Sequence, residues 1–534
     1  MTDQKASEIR NLDGHDESKK ITRRQFIAGA SALGLSAALS PALVPSSAFA
    51  AQGPQKGGHF KMGMAGGHTT DSLDTALIAD QVADCTNYAL RNNLVEVDHK
   101  GNAVPELAES WDASKDAATW HFNLRKGVEF HNGKTMDSED VIFSIRHHMG
   151  KDSKSGAKGL INQIEDIKKD GKDKVVFTLK TGNADFPYIL NDYHLTIVPA
   201  GTQGEQWEKG IGTGGYILEA WEPGVKSIVR RNPNYYKSDR AHFESAEVLS
   251  IADTNARTNA LRTGQVDYMN RVELKTIHLF QRAKNINIIQ VNGGYHYTLA
   301  MLTDTPPYDN NDVRLALKYA IDREELVKKF LRGYGSVGND QPIHPGNRFY
   351  ANDLPQRQYD PDKAKFHLKK AGLSQHTFDL HTSEHGGFMD ISTLYQQSAA
   401  KAGIKINMVK EPEDGYWSNV WLNKAFCHGY WGARPTADMA FSVAYSGKAK
   451  WNETRLQNKR LDELVLAARS ELDDAKRKEM YRECQMIIRD EGGTIVPFFK
   501  DYVEASNEKI GHGTVSGLWE SDAHRVIERW WFKS

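Results

Sequence analysis

Residues 101–145 read GNAVPELAESWDASKDAATWHFNLRKGVEFHNGKTMDSEDVIFSI. Trp120, Phe122 and Leu124 alternate with polar residues, the period-2 mark of a half-buried strand. Lys126-Gly127 is a turn signal, after which Val128 and Phe130 are expected to continue a hairpin. Asn132-Gly133 is a turn pair. Asp137-Ser138-Glu139-Asp140 then caps a helix with Val141, Ile145 and Met149 on one face.

The same alternation of strands and helices extends on both sides. His59–Met64 reads as a first strand, ending in Ala65-Gly66-Gly67-His68-Thr69-Thr70-Asp71, where glycines let backbone approach a ligand or a helix closely. Lys174–Leu179 is another strand. Asp312 is expected to cap a helix carrying Val313, Ala316, Leu317, Ala320 and Ile321, with Gly333 as its stop. Asp360-Pro361 opens a helix that Gly372 closes. Asp473 caps a long helix bearing Met480, Tyr481, Cys484, Ile487 and Ile488, and 495–499 returns as a strand. This order predicts α/β lobes.

With 534 residues the chain is long enough for two or more lobes. Eleven Trp, twenty Tyr and 10 % aromatics exclude a disordered protein. Lys+Arg 68 against Asp+Glu 69 points to no polyanion, and no nucleic-acid partner is expected.

The first fifty residues differ. Thr22-Arg23-Arg24-Gln25-Phe26-Ile27 precedes a mild apolar run to Val44, and Ala48-Phe49-Ala50 is a cleavage site. Residues 1–50 resemble a twin-arginine signal peptide; the other reading is a short membrane anchor, opposed by Gly29, Gly34 and Pro41. Export by the twin-arginine machinery and a soluble periplasmic protein are expected. Cys85, Cys427 and Cys484 can form at most one disulfide. The helical phase of Cys484 predicts a buried thiol.

Three motifs imitate enzymes. Gly333–Gly338 matches GxGxxG, but a helix precedes it instead of a strand. His381-Thr382-Ser383-Glu384-His385 matches HxxEH, which would need both histidines on one helix face. Phe378 and Leu380 alternate like a strand, and Gly386-Gly387 follows. His147-His148 reads as a solvated helix face. No cofactor, metal site or catalytic residue is assigned.

Several segments together resemble the family 5 extracellular solute-binding proteins of ABC importers, which bind dipeptides, oligopeptides, nickel or opines. These are 101–145, GTGGYILEAWEPGVKSIVRRNPNYY (212–236, with Gly215 where proline is usual), PPYDNNDVRLALKYAIDREELV (306–327), 359–373 and 460–499. The resemblance implies a two-lobed periplasmic binding protein fold with a hinge and an extra domain inserted in the first lobe, the cluster C type. Lobe I would be 54–86, 213–300 and 506–534, the inserted domain 87–212, and lobe II 301–505. It implies a binding cycle in which ligand closes the lobes and is handed to an inner-membrane permease whose ATPase is a separate chain. A monomer is expected.

The resemblance also marks the ligand site. Peptide-binding members usually end the stretch matching 429–433 in G-W-x-x-D, whose aspartate holds the ligand's amine. Here Gly429, Tyr430 and Gly432 fit, but Ala433 replaces the aspartate and Arg434 follows. An arginine that dipeptide binders carry after the strand matching 377–382 is replaced by Ser383-Glu384-His385. An inverted polarity is therefore expected: Arg434 holds an acidic group, and Glu384, with His385, holds an amine. Tyr430 and Trp431 would wall the pocket, with Tyr295, Tyr297 and Trp417 as further aromatics and His68, Thr69 and Thr70 from lobe I. For Arg434 the alternative is an ion pair such as one with Asp438; for Trp417 and Trp421 it is core packing. The default ligand is a peptide or peptide-like amino compound, the alternative an opine or other acidic, modified amino-acid compound. A zinc peptidase using His381, Glu384 and His385, and a chaperone or sensor partner, are the remaining alternatives.

Overall fold

Two long antiparallel strands, Ile286–Met301 and Phe498–Asn507, form the spine of the molecule. They belong to a twelve-stranded sheet in the computed structural model, which describes residues 54–534. The expected signal peptide lies outside the described residues. On one side of the spine follow Tyr268–Met269, His59–Met64, Ser245–Ser250, Lys226–Arg231 and Tyr216–Glu222. On the other side follow Phe426–Trp431, Thr377–Thr382 and Lys405–Lys410. Separate apolar cores form on the two sides. One gathers Phe60, Tyr216, Phe243 and Trp530; the other gathers Leu299, Leu317, Phe378, Tyr395 and Phe426.

The register of the spine shifts between Val291 and Tyr295, at Asn292-Gly293-Gly294. A Cβ on Gly293 would meet the Lys500 carbonyl at 2.7 Å, and one on Gly294 would meet the His344 ring at 2.8 Å. The chain can irregularise here only because both residues are glycine.

A second sheet of four antiparallel strands carries the opening stretch, in the order Ala108–Ala113, Thr119–Leu124, Lys174–Leu179, Ile164–Lys169. Its own core includes Trp120, Phe122, Phe177 and Phe186. Both edges of Thr119–Leu124 are therefore occupied. Val128 and Phe130 do not extend it as a hairpin. They pair instead with 134–136 across the Asn132-Gly133 turn, through Phe130 N to Lys134 O and Met136 N to Val128 O.

The capped helices largely follow their sequence signals. Asp137 and Asp140 form a reciprocal capping box on Ser138–His147, and Asp360 and Asp473 cap Pro361–Lys370 and Asp474–Glu491. The expected helix from Asp312 is two helices. Asn310 caps Asn311–Tyr319 and Asp322 caps Arg323–Lys329, while Asp312 pairs with His367 and Lys370. His147-His148 is not a solvated face. His148 is buried against Ser155, its pKa driven to about 3 by burial, and His147 reaches Asp74 at 2.6 Å. The three cysteines are buried and free.

Buried charge joins distant segments. Lys237 donates to Glu96, Glu106 and Glu528 at 3.1, 2.7 and 3.1 Å, and Arg525 binds Glu106 and Glu528. These three carboxylates are the one grouping among the described residues with metal-ligand spacing. The ammonium of Lys237 already supplies the cation that such a cluster would otherwise need.

Candidate binding cleft

Beside the irregular spine lies a cleft of about 220 Å³, open to solvent. One wall is Val515–Leu518, another is Val97–Gly101 with Tyr188, and the third is 344–349 and 434–437. Gly517 lets the first wall in close, since a Cβ there would meet the Asn292 carbonyl at 2.2 Å. The cleft thus borders all three regions that the sequence reading separated.

Arg434 faces this cleft and a neighbouring hollow of about 20 Å³, room for one water. It follows the end of strand Phe426–Trp431 and precedes Thr436, whose hydroxyl caps the helix Ala437–Ala444. Its guanidinium lies over the Trp431 ring, 5.6 Å from the centroid, an arrangement worth about 0.5–2 kcal/mol. Nη1 donates to the Gly432 and Ala433 carbonyls at 3.2 and 3.4 Å. No carboxylate among the described residues pairs with it; Asp438, the alternative partner, is held by Arg469 at 3.1 Å. Burial pushes the Arg434 pKa down.

Two histidines share this corner. His344 Nδ1 accepts from Gly346 N at 3.2 Å, which leaves the proton on Nε2. His296 Nδ1 donates to the Gly294 carbonyl at 3.0 Å, leaving Nε2 bare and without a partner. Burial lowers both pKa values to about 4, so both rings are neutral at pH 7. The only carboxylate in the cleft lining is Asp98, and it is occupied by Lys100 N, Asn102 N and Asn102 Nδ2. The corner therefore offers the Arg434 guanidinium and the His344 Nε2–H as donors with no acid to satisfy them, the chemistry that receives a carboxylate or similar anion.

The other expected residues lie on the opposite face of the strand. Tyr430 and Trp431 are consecutive and so point to opposite sides of the sheet. Tyr430 stacks on Tyr295 (5.3 Å) and on His385 (5.6 Å), and Trp417 meets its ring edge-on at 5.1 Å. Tyr297 donates to the Gly386 carbonyl at 2.7 Å. Tyr295, Tyr297, His385, Trp417 and Tyr430 thus form one aromatic group. His296, Trp431, His344 and Arg434 form another. Trp417 is 38 % exposed, more open than a core residue.

Glu384 does not join Arg434. It is exposed and paired with Lys410 at 2.7 Å, so its charge is already answered. His68, Thr69 and Thr70 are exposed on a loop where His68 reaches Asp80 at 3.2 Å and Gly224 packs against the 68–69 backbone. Among the described residues they line neither the cleft nor the hollow.

His381 lies in strand Thr377–Thr382 and pairs with Glu411 at 2.6 Å, while His385 begins a short turn against Tyr430 and Trp417. They do not share a helix face, so the zinc-peptidase arrangement is absent. Gly335–Val337 is a strand beside Phe498–Asn507, not a nucleotide loop.

Two contributors escaped sequence reading. His344 belongs to no motif. Glu453 is buried and accepts the indole N–H groups of Trp421 (2.9 Å) and Trp431 (3.1 Å). Only contacts distant in sequence reveal either.

A cleft walled by segments from both sides of a two-strand crossing defines a two-lobed binding protein. Residues 102–453 match the model of bacterial extracellular solute-binding proteins, family 5, and the chain belongs to that family. It is 25 % identical over 473 residues to a dipeptide-binding protein of Pseudomonas aeruginosa, covering 80 % of this chain and 87 % of the relative. Its fold matches the periplasmic binding protein DppA of Helicobacter pylori, solved with the peptide STSA, with TM-score 0.70 and 23 % identity. That match covers 90 % of this chain and 99 % of the other. It also matches the binding protein AgaA of A. tumefaciens R10, solved with agropinic acid, with TM-score 0.69 and 23 % identity over 89 % and 99 % of the two chains. The fold is thus that of the two-lobed periplasmic binding proteins.

Proposed function

We propose that this protein is the periplasmic substrate-binding component of an ABC importer, and that it captures a peptide or peptide-like amino compound through an acidic group held by Arg434. The observation that carries this is an unpaired, half-buried guanidinium in a cleft whose one carboxylate is already occupied. His344 Nε2–H adds a second donor, and the positive end of helix Ala437–Ala444 is close in sequence. Ligand bound between regions on both sides of the spine would favour the closed form and release it for transfer to an inner-membrane permease with its separate ATPase.

Ala433 favours a second reading within the same class. It removes the aspartate with which peptide binders of the family hold an amine, and so moves the ligand toward opines or other acidic, modified amino-acid compounds. The AgaA neighbour was solved with agropinic acid. Residues 1–50 serve as a twin-arginine export signal in this proposal. The boundaries 54–86 with 213–300 and 506–534, 87–212, and 301–505 serve as lobe I, inserted domain and lobe II. The separate apolar cores support them, although helix Gln81–Leu90 runs across the 86/87 boundary.

The test is thermal unfolding of the mature protein against dipeptides, oligopeptides, opines, amino acids and small acids. A true ligand at a hundredfold excess over Kd should add about 2.7 kcal/mol of stability. Arg434→Ala is expected to abolish the stabilisation given by acidic compounds. If free-amine dipeptides stabilise both proteins equally, the acidic anchor is wrong.

A further inference from the structure

Glu453 carries a buried carboxyl for which the described residues provide no counter-ion. It is 1 % exposed, and among the described residues no Lys, Arg or His lies within ion-pair distance. Its two oxygens are divided between two rings: Oε2 accepts from Trp421 Nε1 and Oε1 from Trp431 Nε1. Gly429, in the strand beneath, leaves the room, since a Cβ there would lie 2.8 Å from Glu453 Oε2 and 3.2 Å from Trp421 Nε1. A buried carboxylate without a cation is costly, and apolar packing would be the cheaper way to fill the space.

The two rings lead to different walls. Trp431 lies beneath the Arg434 guanidinium. Trp421 touches Trp431 at 5.9 Å and Trp417 at 5.7 Å, and Trp417 in turn meets Tyr430. An indole ring with its N–H fixed cannot flip or slide in its plane, so the acceptor sets the ring that the guanidinium rests on. Gln in place of Glu could accept from only one indole, because its amide nitrogen is a donor.

We propose that Glu453 is a positioning residue of the binding cleft: by holding the N–H groups of Trp421 and Trp431 it fixes the platform under Arg434 and braces the aromatic wall around Trp417. This rests on the reading that Trp431 and Arg434 face the ligand. It goes beyond that reading by assigning the geometry of Arg434 to a carboxylate that lines neither the cleft nor the hollow.

The test needs no ligand. In 15N-labelled mature protein, Trp421→Phe and Trp431→Phe assign the two indole N–H resonances, and Arg434→Lys assigns Arg434 Nε–H. Glu453→Ala is expected to move both indole resonances upfield, as a strong acceptor is lost. The Arg434 Nε–H should move downfield as it leaves the shielding face of Trp431. Glu453→Gln should retain one indole resonance near its original position and displace the other. If Glu453→Ala fails to fold, Glu453→Gln, which keeps both rings and the side-chain volume, gives the reading on Arg434 Nε–H. The proposal is overturned if the Trp431 indole resonance moves in Glu453→Ala or Glu453→Gln while Arg434 Nε–H stays fixed, or if neither indole resonance moves in either variant. Failure of the underlying functional reading looks different: Arg434→Ala would keep its full thermal stabilisation by acidic compounds, whatever the resonances do.

Discussion

At Gly429 any side chain would collide with three groups at once: Glu453 Oε2 and Thr298 Oγ1 at 2.8 Å, and Trp421 Nε1 at 3.2 Å. In the sequence this glycine is only part of a family pattern; its physical reason is a carboxylate twenty-four positions away. Gly429→Ala is expected to cost about 1–3 kcal/mol in denaturant unfolding and to change tryptophan fluorescence, because Glu453 must shift. Unchanged fluorescence with full stability would mean that the site relaxes freely. Arg434 was legible as a departure from the family pattern. Whether it had a partner was not, because Asp438, four positions away, turns toward Arg469.

Along strand Phe498–Asn507, Glu504 meets the segment that carries the 515–518 wall. Ser521, Asp522, Ala523 and His524 are consecutive residues with φ of 57, 54, 56 and 65°, each costing about 1–2 kcal/mol relative to right-handed backbone. Glu504 Oε1 accepts from Ser521 N at 2.5 Å, Asp522 accepts from Ser516 N and Trp530 Nε1, and His524 stacks on both Tyr88 and Trp519. Burial pushes the Glu504 carboxyl up to about 8. The folded state therefore holds this proton more tightly than the unfolded chain. Its contribution to stability is complete below about pH 4.5 and is lost as pH rises through 8. Glu504→Gln, which keeps the acceptor but cannot ionise, is expected to melt like wild type at pH 4. At pH 9 it should exceed wild type by at least about 1.4 kcal/mol, the free energy of a tenfold difference in proton affinity between the folded and unfolded chains. Equal melting at both pH values would show that Glu504 titrates normally. Capped helices were readable from local residues, as Asp360-Pro361 and Asp473 illustrate. The left-handed turn was not, since Ser-Asp-Ala-His carries no glycine to announce it.

Across the whole molecule, segment 87–212 is tied to segment 301–505 by a buried contact. Asp185 Oδ1 lies 2.6 Å from Arg477 Nη2 and 3.4 Å from Arg348 Nη2, and Ala184 N donates to the Arg469 carbonyl at 2.7 Å. Arg348 also covers Tyr188 at 4.5 Å and lines the cleft. If 87–212 and 301–505 move apart when the cleft opens, this contact is expected to restrain them. Asp185→Ala leaves buried Arg477 with only the more distant Asp474, at 3.7 Å, as a counter-ion, and a loss of about 1–3 kcal/mol is expected. Small-angle scattering of the ligand-free variant should also give a larger radius of gyration than wild type. A stable variant of unchanged radius would show that the contact does not restrain opening.

The sequence by itself determined the elements and the class. Period-2 alternation at Trp120, Phe122 and Leu124, and caps at Asp137, Asp360 and Asp473, are local effects between neighbours in the chain, so they survive without a structure. Segment order added the resemblance to the family. Tertiary structure alone decided how those elements are paired and which charges remain free. Thr119–Leu124 took Lys174–Leu179 and Ala108–Ala113 as partners rather than 128–130, because pairing depends on which edges other strands fill. Glu384 was neutralised by Lys410, and Arg434 was left unpaired beside His344. Burial and ion pairing are set by residues far apart in sequence, and only folding brings them within reach of one another.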